Sequence, residues 1–163
     1  MRFKVLSMFA AVLLLAACET ASDQSANTAG QGGATGQGGA GTTVRPGSQE
    51  DLVANVGDRV FFDFDKSDLK PEARRTIERW SAWLKQYPNV TVTIEGHCDE
   101  RGTREYNIAL GERRAASAKN FLTSLGIDAR RVATISYGKE RPAVVGSNEA
   151  AWSQNRRGVM VVN

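Results

Sequence analysis

Val90-Thr91-Val92-Thr93-Ile94-Glu95-Gly96-His97-Cys98-Asp99-Glu100-Arg101-Gly102 is the stretch on which the fold turns. Val90, Val92 and Ile94 alternate with Thr91, Thr93, Glu95 and His97, so a strand here has one apolar and one polar face. That alternation predicts a sheet covered by helices on one side and open to water on the other. Asp99 falls just past the strand. A helix is predicted next, from about Glu105 to Leu125, with Tyr106, Leu110, Phe121, Leu122 and Leu125 turned inward and Gly126 ending it. Arg114 interrupts this apolar face. Positions 110, 114, 118, 121 and 125 share one side, so a guanidinium among them needs an acidic partner or a ligand. Asp99 and Arg114 thus pair an anionic with a cationic site, as gripping a zwitterion requires; the alternative is a structural ion pair between the two.

Upstream, Val60, Phe62 and Phe64 alternate as a first strand that delivers Asp65 into a loop, which gives Phe64 an inward, packing position. Pro71 opens a helix whose buried stripe is Ala73, Ile77, Trp80, Leu84 and Tyr87, ending before Pro88; Trp83 lies off the stripe's centre. Downstream, Val132 to Tyr137 forms a third strand, a short helix follows near Glu149 to Ser153, and Gly158 to Val162 supplies the last strand. Strands alternating with helices and one polar sheet face predict an α/β fold, a two-layer sandwich of a mixed sheet with helices on one face.

The first 50 residues have a different character. Arg2 and Lys4 precede an apolar run from Val5 to Ala17 that rises only about 20 Å as a helix, too short for a hydrocarbon core of about 30 Å. Residues 1–17 therefore read as a secretory signal peptide. Leu15-Ala16-Ala17-Cys18 resembles a bacterial lipobox, which makes Cys18 the lipidated first residue of the mature chain and leaves Cys98 without a disulfide partner. Residues 18–50, with seven glycines between Gly30 and Gly41, form a flexible tether with a reach of roughly 30 Å. Gly36, Gly38 and Gly41 spell G-x-G-x-x-G, but no strand precedes them and no helix follows, which excludes a dinucleotide site. Residues 51–163 make one domain large enough for a core of its own.

Charge and chemistry narrow the function. The net charge of +3 falls to +1 once Arg2 and Lys4 leave, and basic residues alternate with acidic ones, so nucleic acid is not implied. Arg74, Arg75 and Arg79 read as a solvated helix face. His97, Cys98, Asp99 and Glu100 in a row invite a hydrolase reading, but neighbouring strand residues point to opposite faces, and the chain has a single histidine. Cys98 reads as a small buried residue on the apolar side. No catalytic residues, cofactor or metal are therefore expected.

Residues 58–162 resemble the OmpA-like peptidoglycan-binding domain family. The resemblance rests on Phe61-Phe62-Asp63-Phe64-Asp65, on Gly96-His97-Cys98-Asp99-Glu100-Arg101-Gly102-Thr103, on Tyr106-Asn107-Ile108-Ala109-Leu110-Gly111 with Arg113-Arg114-Ala115, on Ser136-Tyr137-Gly138 and on Asn155-Arg156-Arg157. Lipobox, glycine-rich tether and terminal domain also follow the order of the family's Tol-Pal lipoproteins.

The resemblance implies noncovalent binding of the peptidoglycan stem peptide through meso-diaminopimelate. In that family Asp99 would match the acid that takes the ammonium, and Arg114 the arginine that takes the carboxylate. Phe64 and Asp65 would line one side of the pocket, Arg101 would flank Asp99, and Asn107 and Leu110 would lie on the binding helix. For Asn107 the residue itself leaves two roles open, a ligand contact or satisfaction of backbone groups near the helix start. The resemblance further implies an outer-membrane lipoprotein with its domain in the periplasm, TolB and other Tol proteins as partners competing with the wall, and roles in envelope integrity and constriction at division. An interaction module serving mainly TolB is the alternative; a cell-wall hydrolase is the remote one.

Overall fold

The computed structural model describes residues 44–163. The signal peptide, Cys18 and all but the last residues of the tether lie outside these residues. The element order is α1 (Gln49–Asn55), β1 (Arg59–Phe61), α2 (Pro71–Gln86), β2 (Val92–His97), α3 (Arg104–Ser124), β3 (Val132–Gly138), α4 (Glu149–Asn155) and β4 (Arg157–Val162), with a 3-10 turn at Ala129–Arg131. The four strands form one mixed sheet in the order β1-β4-β2-β3. β4 runs antiparallel to both β1 and β2, and β2 pairs parallel with β3, with Val92 opposite Val132 and Val162.

One face of this sheet carries the core. Val92 and Ile94 of β2, Val132 of β3 and Met160 of β4 meet Ile77, Trp80 and Leu84 of α2 and Ala115, Ala118 and Leu122 of α3, all essentially inaccessible to water. Full burial of each large side chain contributes about 1.5–3 kcal/mol. The two-layer α/β sandwich with a mixed sheet is thus the architecture observed.

Local structure departs from the sequence expectations at four places. β1 ends at Phe61, and the chain turns at Asp63 to Asp65, where Asp65 adopts a φ of 55° and Lys66 N–H donates to the Asp63 carbonyl. Phe64, expected inward, is therefore carried out of the strand and is 56% exposed. Tyr106, also expected inward, is exposed because its hydroxyl reaches outward to the Asp65 carboxylate. Trp83 is buried rather than marginal, since α1, which no sequence pattern announced, lies over it and Asp51 accepts from its indole N–H at 2.9 Å. The polar sheet face is closed at one end: His97 and Arg157 are buried there, the His97 ring lies 5.6 Å from that of Tyr137, and Arg157 donates to the Arg141 carbonyl.

Candidate functional site

The site forms where β2 runs out and α3 begins. Thr103 caps α3 by accepting from Tyr106 N–H at 3.2 Å, and the extended Thr103 backbone lets the 99–103 loop fold back beside the helix. Asn107, in the first turn, satisfies backbone groups, as one of its two sequence readings had it: its side-chain amide donates to the Arg101 and Thr103 carbonyls at 2.8 and 2.9 Å, holding that loop in shape, and the residue also lines the pocket. The pocket has a volume of about 150 Å³, and its walls include all seven expected residues: Phe64, Asp65, Asp99, Arg101, Asn107, Leu110 and Arg114.

Arg114 is 1% exposed, yet among the described residues no carboxylate accepts from it. Its Nε donates to the Lys66 carbonyl at 2.8 Å, Nη1 to the His97 carbonyl at 2.8 Å and Nη2 to the Asp63 carbonyl at 3.0 Å. A buried cation is tolerated here because three backbone dipoles converge on it. These bonds engage three of the five guanidinium N–H groups, and no carbonyl or carboxylate among the described residues takes the other two. Burial pushes the guanidinium below its ordinary pKa, with Cys98 and Asp99 opposing that shift.

Asp99 is paired with two other arginines instead. Arg101 reaches it in a fork, Nε to Oδ1 at 3.1 Å and Nη2 to Oδ2 at 2.5 Å, and Arg156 Nη1 approaches Oδ2 at 3.4 Å. Burial pushes the Asp99 carboxyl up, but the bonds from the Arg101 side chain and backbone outweigh it and hold the group below the usual carboxylate range. The structural ion pair considered between Asp99 and Arg114 is thus absent; each has separate partners on the same pocket. Arg101 is itself stacked between the rings of Phe64, at 3.9 Å, and Trp152, at 4.0 Å.

Arg156 entered the sequence reading only as part of the Asn155-Arg156-Arg157 motif, with no site role, and Trp152 did not enter it. Arg156 is buried, donates to the Phe62 carbonyl at 3.1 Å and bonds Glu149 besides Asp99. Its signal was present: two consecutive arginines ahead of the apolar run Gly158 to Val162 put cations at the buried end of a strand, which demands partners. Nothing in sequence spacing says that one partner stands 57 residues earlier. Cys98 Sγ points to the Asn107 carbonyl, while His97 Nε2 lies 3.3 Å from Glu95, so the two side chains turn to opposite sides of β2 as alternation requires.

Comparison with known proteins gives the same assignment from three directions. Residues 61–156 match the OmpA family model. The chain is 51% identical over 150 residues to the peptidoglycan-associated lipoprotein of Agrobacterium fabrum, covering 92% of this chain and 82% of that protein, and 41% identical over 157 residues to that of Haemophilus influenzae, covering 96% and 95%. Among solved structures, the peptidoglycan-associated lipoprotein from Burkholderia pseudomallei superposes with a TM-score of 0.63 at 38% identity, covering 65% of this chain and 90% of that one. The C-terminal domain of Helicobacter pylori MotB shares the fold, with a TM-score of 0.61 at 18% identity over 65% of this chain and 84% of that one. With more than half of the sequence covered by the family model and the pocket residues inside the matched region, the chain belongs to the OmpA family.

Proposed function

We propose that the domain holds peptidoglycan noncovalently, taking the free end of meso-diaminopimelate into the pocket between Asp99 and Arg114 and breaking no bond. The observation that carries this reading is the pairing of a carboxylate held in its charged form with a caged guanidinium, two of whose N–H groups meet no carbonyl or carboxylate among the described residues, both on one small pocket. An ammonium and a carboxylate on one carbon present the complementary charges, and a planar guanidinium suits a carboxylate. Phe64 and Asp65 form one wall, Arg101 flanks Asp99, and Asn107 and Leu110 form the helix side. The relatives named peptidoglycan-associated lipoprotein support peptidoglycan as the material bound.

The rest of the chain fits an envelope tether. In this reading residues 1–17 are removed, Cys18 carries lipid in the outer membrane, the tether that follows spans the gap up to Ser48, which caps α1, and the folded domain, which α1 opens at Gln49 rather than at the expected 51, holds the wall in the periplasm as part of the Tol-Pal system, maintaining the envelope at constriction. TolB is the protein partner. Exposed Phe64 and Tyr106 at the pocket rim favour a shared surface, so TolB and wall fragments compete.

Titration of the full chain in detergent with stem peptides ending in diaminopimelate or in lysine tests the ligand. Lysine lacks the second carboxylate, so its peptide binds about tenfold or more weakly, the worth of charge-assisted bonds to Arg114. Equal affinity for both peptides overturns the reading, and release of cleaved fragments restores the hydrolase alternative.

A further inference from the structure

The Asp99 carboxylate has no acceptor position to spare. Oδ1 takes the Arg101 backbone N–H at 3.2 Å and Arg101 Nε at 3.1 Å; Oδ2 takes Arg101 Nη2 at 2.5 Å and Arg156 Nη1 at 3.4 Å. A carboxylate offers about four lone-pair sites, and here each is engaged. An incoming ammonium cannot simply add to this group; it has to replace a donor.

The two arginines are unequal candidates for replacement. The Arg156 side chain is 7% exposed and is also fixed by the Phe62 carbonyl and Glu149. The Arg101 side chain is 31% exposed, and its remaining contacts are the flat faces of Phe64 and Trp152, across which a guanidinium slides without leaving a buried polar group unpaired. Asn107 holds the Arg101 backbone carbonyl, so the side chain swings while the loop stays.

We propose that the Arg101 guanidinium is a resident counter-cation that occupies the ammonium subsite at Asp99 and is exchanged for the ammonium of the ligand. The proposal rests on the diaminopimelate reading above and adds a gate to it. Arg156 stays behind to keep Asp99 oriented and ionised. Exchange makes the pocket selective, because a ligand that brings only a carboxylate has nothing with which to release Arg101. Arg101 then acts as a specificity-determining residue that opposes binding, the reverse of an attractive contact.

Two measurements on the full chain in detergent test this, with a diaminopimelate-ending stem peptide as the probe. The Arg101→Gln variant binds that peptide about tenfold more tightly than the parent, since one charge-assisted pair no longer has to be broken. In the parent, saturation shifts the tryptophan emission: of the three tryptophans, Trp80 and Trp83 are buried in the core and Trp152 stands at the pocket rim under Arg101. The shift disappears in Arg101→Gln. A parent that binds the peptide without any change in emission removes the gate, whatever the variant does. So does a parent that discriminates diaminopimelate from lysine alongside a variant of equal or weaker affinity, and in both cases the ligand reading stands. A parent that ignores both peptides removes the subsite and the gate together.

Discussion

Gly96 and Gly111 stand face to face where β2 meets α3: a methyl group on Gly96 would lie 1.8 Å from the Gly111 carbonyl oxygen, and one on Gly111 would lie 2.3 Å from Ser136 Oγ. This closeness lets α3 lie directly on β2 and β3, so that Arg114, one turn further along, reaches the His97 carbonyl. The obstacle to a larger residue at 96 is backbone, which cannot rotate away as a side chain does. Gly96→Ala therefore destabilises the domain by about 3 kcal/mol, at the upper end of the cost of overpacking, measured by urea unfolding. Affinity for the stem peptide falls with it, because Arg114 is displaced from its carbonyls.

Arg114→Lys separates charge from geometry. One ammonium cannot span carbonyls contributed by Asp63, Lys66 and His97, which the guanidinium reaches from three different nitrogens. At least one buried carbonyl loses its donor at about 1–3 kcal/mol, and the planar fork for the ligand is lost as well. The melting temperature falls and peptide affinity drops about tenfold or more, although the formal charge is unchanged.

The strands and long helices were legible because each turns one apolar face to a single core, and Val92 and Ile94 or Ala73, Ile77 and Trp80 carry that period openly. Pocket membership was legible through motif residues clustered at a strand exit and a helix start. What stayed hidden depends on contacts distant in sequence or on polar groups. α1 turns only Leu52 and Asp51 fully inward, too few for a period to show. Phe64 kept the parity of a strand that had already ended. The partners of Arg114 are backbone carbonyls, which every residue possesses, so no residue type could announce them. The Arg156 to Asp99 contact joins β4's leading edge to the exit of β2, a consequence of strand order that sequence spacing does not encode.

Trp83→Phe probes α1. Asp51 accepts from Trp83 Nε1, from Gly47 N–H at 2.8 Å and from Asn55 Nδ2 at 2.6 Å, and Gln49 bonds the β4 backbone at Met160 and Val162. These contacts lie at the end of the sheet where β2 begins, whereas the pocket lies where it ends. Removing the indole donor costs about 1–2 kcal/mol in urea unfolding, from one buried hydrogen bond and the smaller ring, and leaves stem-peptide affinity unchanged. A parallel loss of affinity would show that the two ends of the domain are coupled.

His97 sets the acid response of the fold. Its ring is buried, Nδ1 has no hydrogen-bond partner, and Nε2 faces Glu95. Burial lowers its pKa from 6.5 to about 4, and the nearby Arg157 and Arg141 guanidinium groups add to the shift. The unfolded chain thus binds a proton that the folded chain refuses, so the stabilising effect of neutral His97 is complete above pH 6.5 and declines as pH falls toward 4. Over that window the loss reaches about 3 kcal/mol, at 1.36 kcal/mol per pKa unit. Asp99, with its pKa depressed, contributes stability that is complete above its unfolded value of 3.8 and fades only as pH falls below it. Unfolding free energies of the parent and His97→Gln, measured between pH 7 and pH 4, separate the two groups: the parent curve slopes upward with pH and the variant curve is flatter by about one proton. Parallel curves would mean that His97 takes up its proton alike in the folded and the unfolded chain and that the acid response has another source.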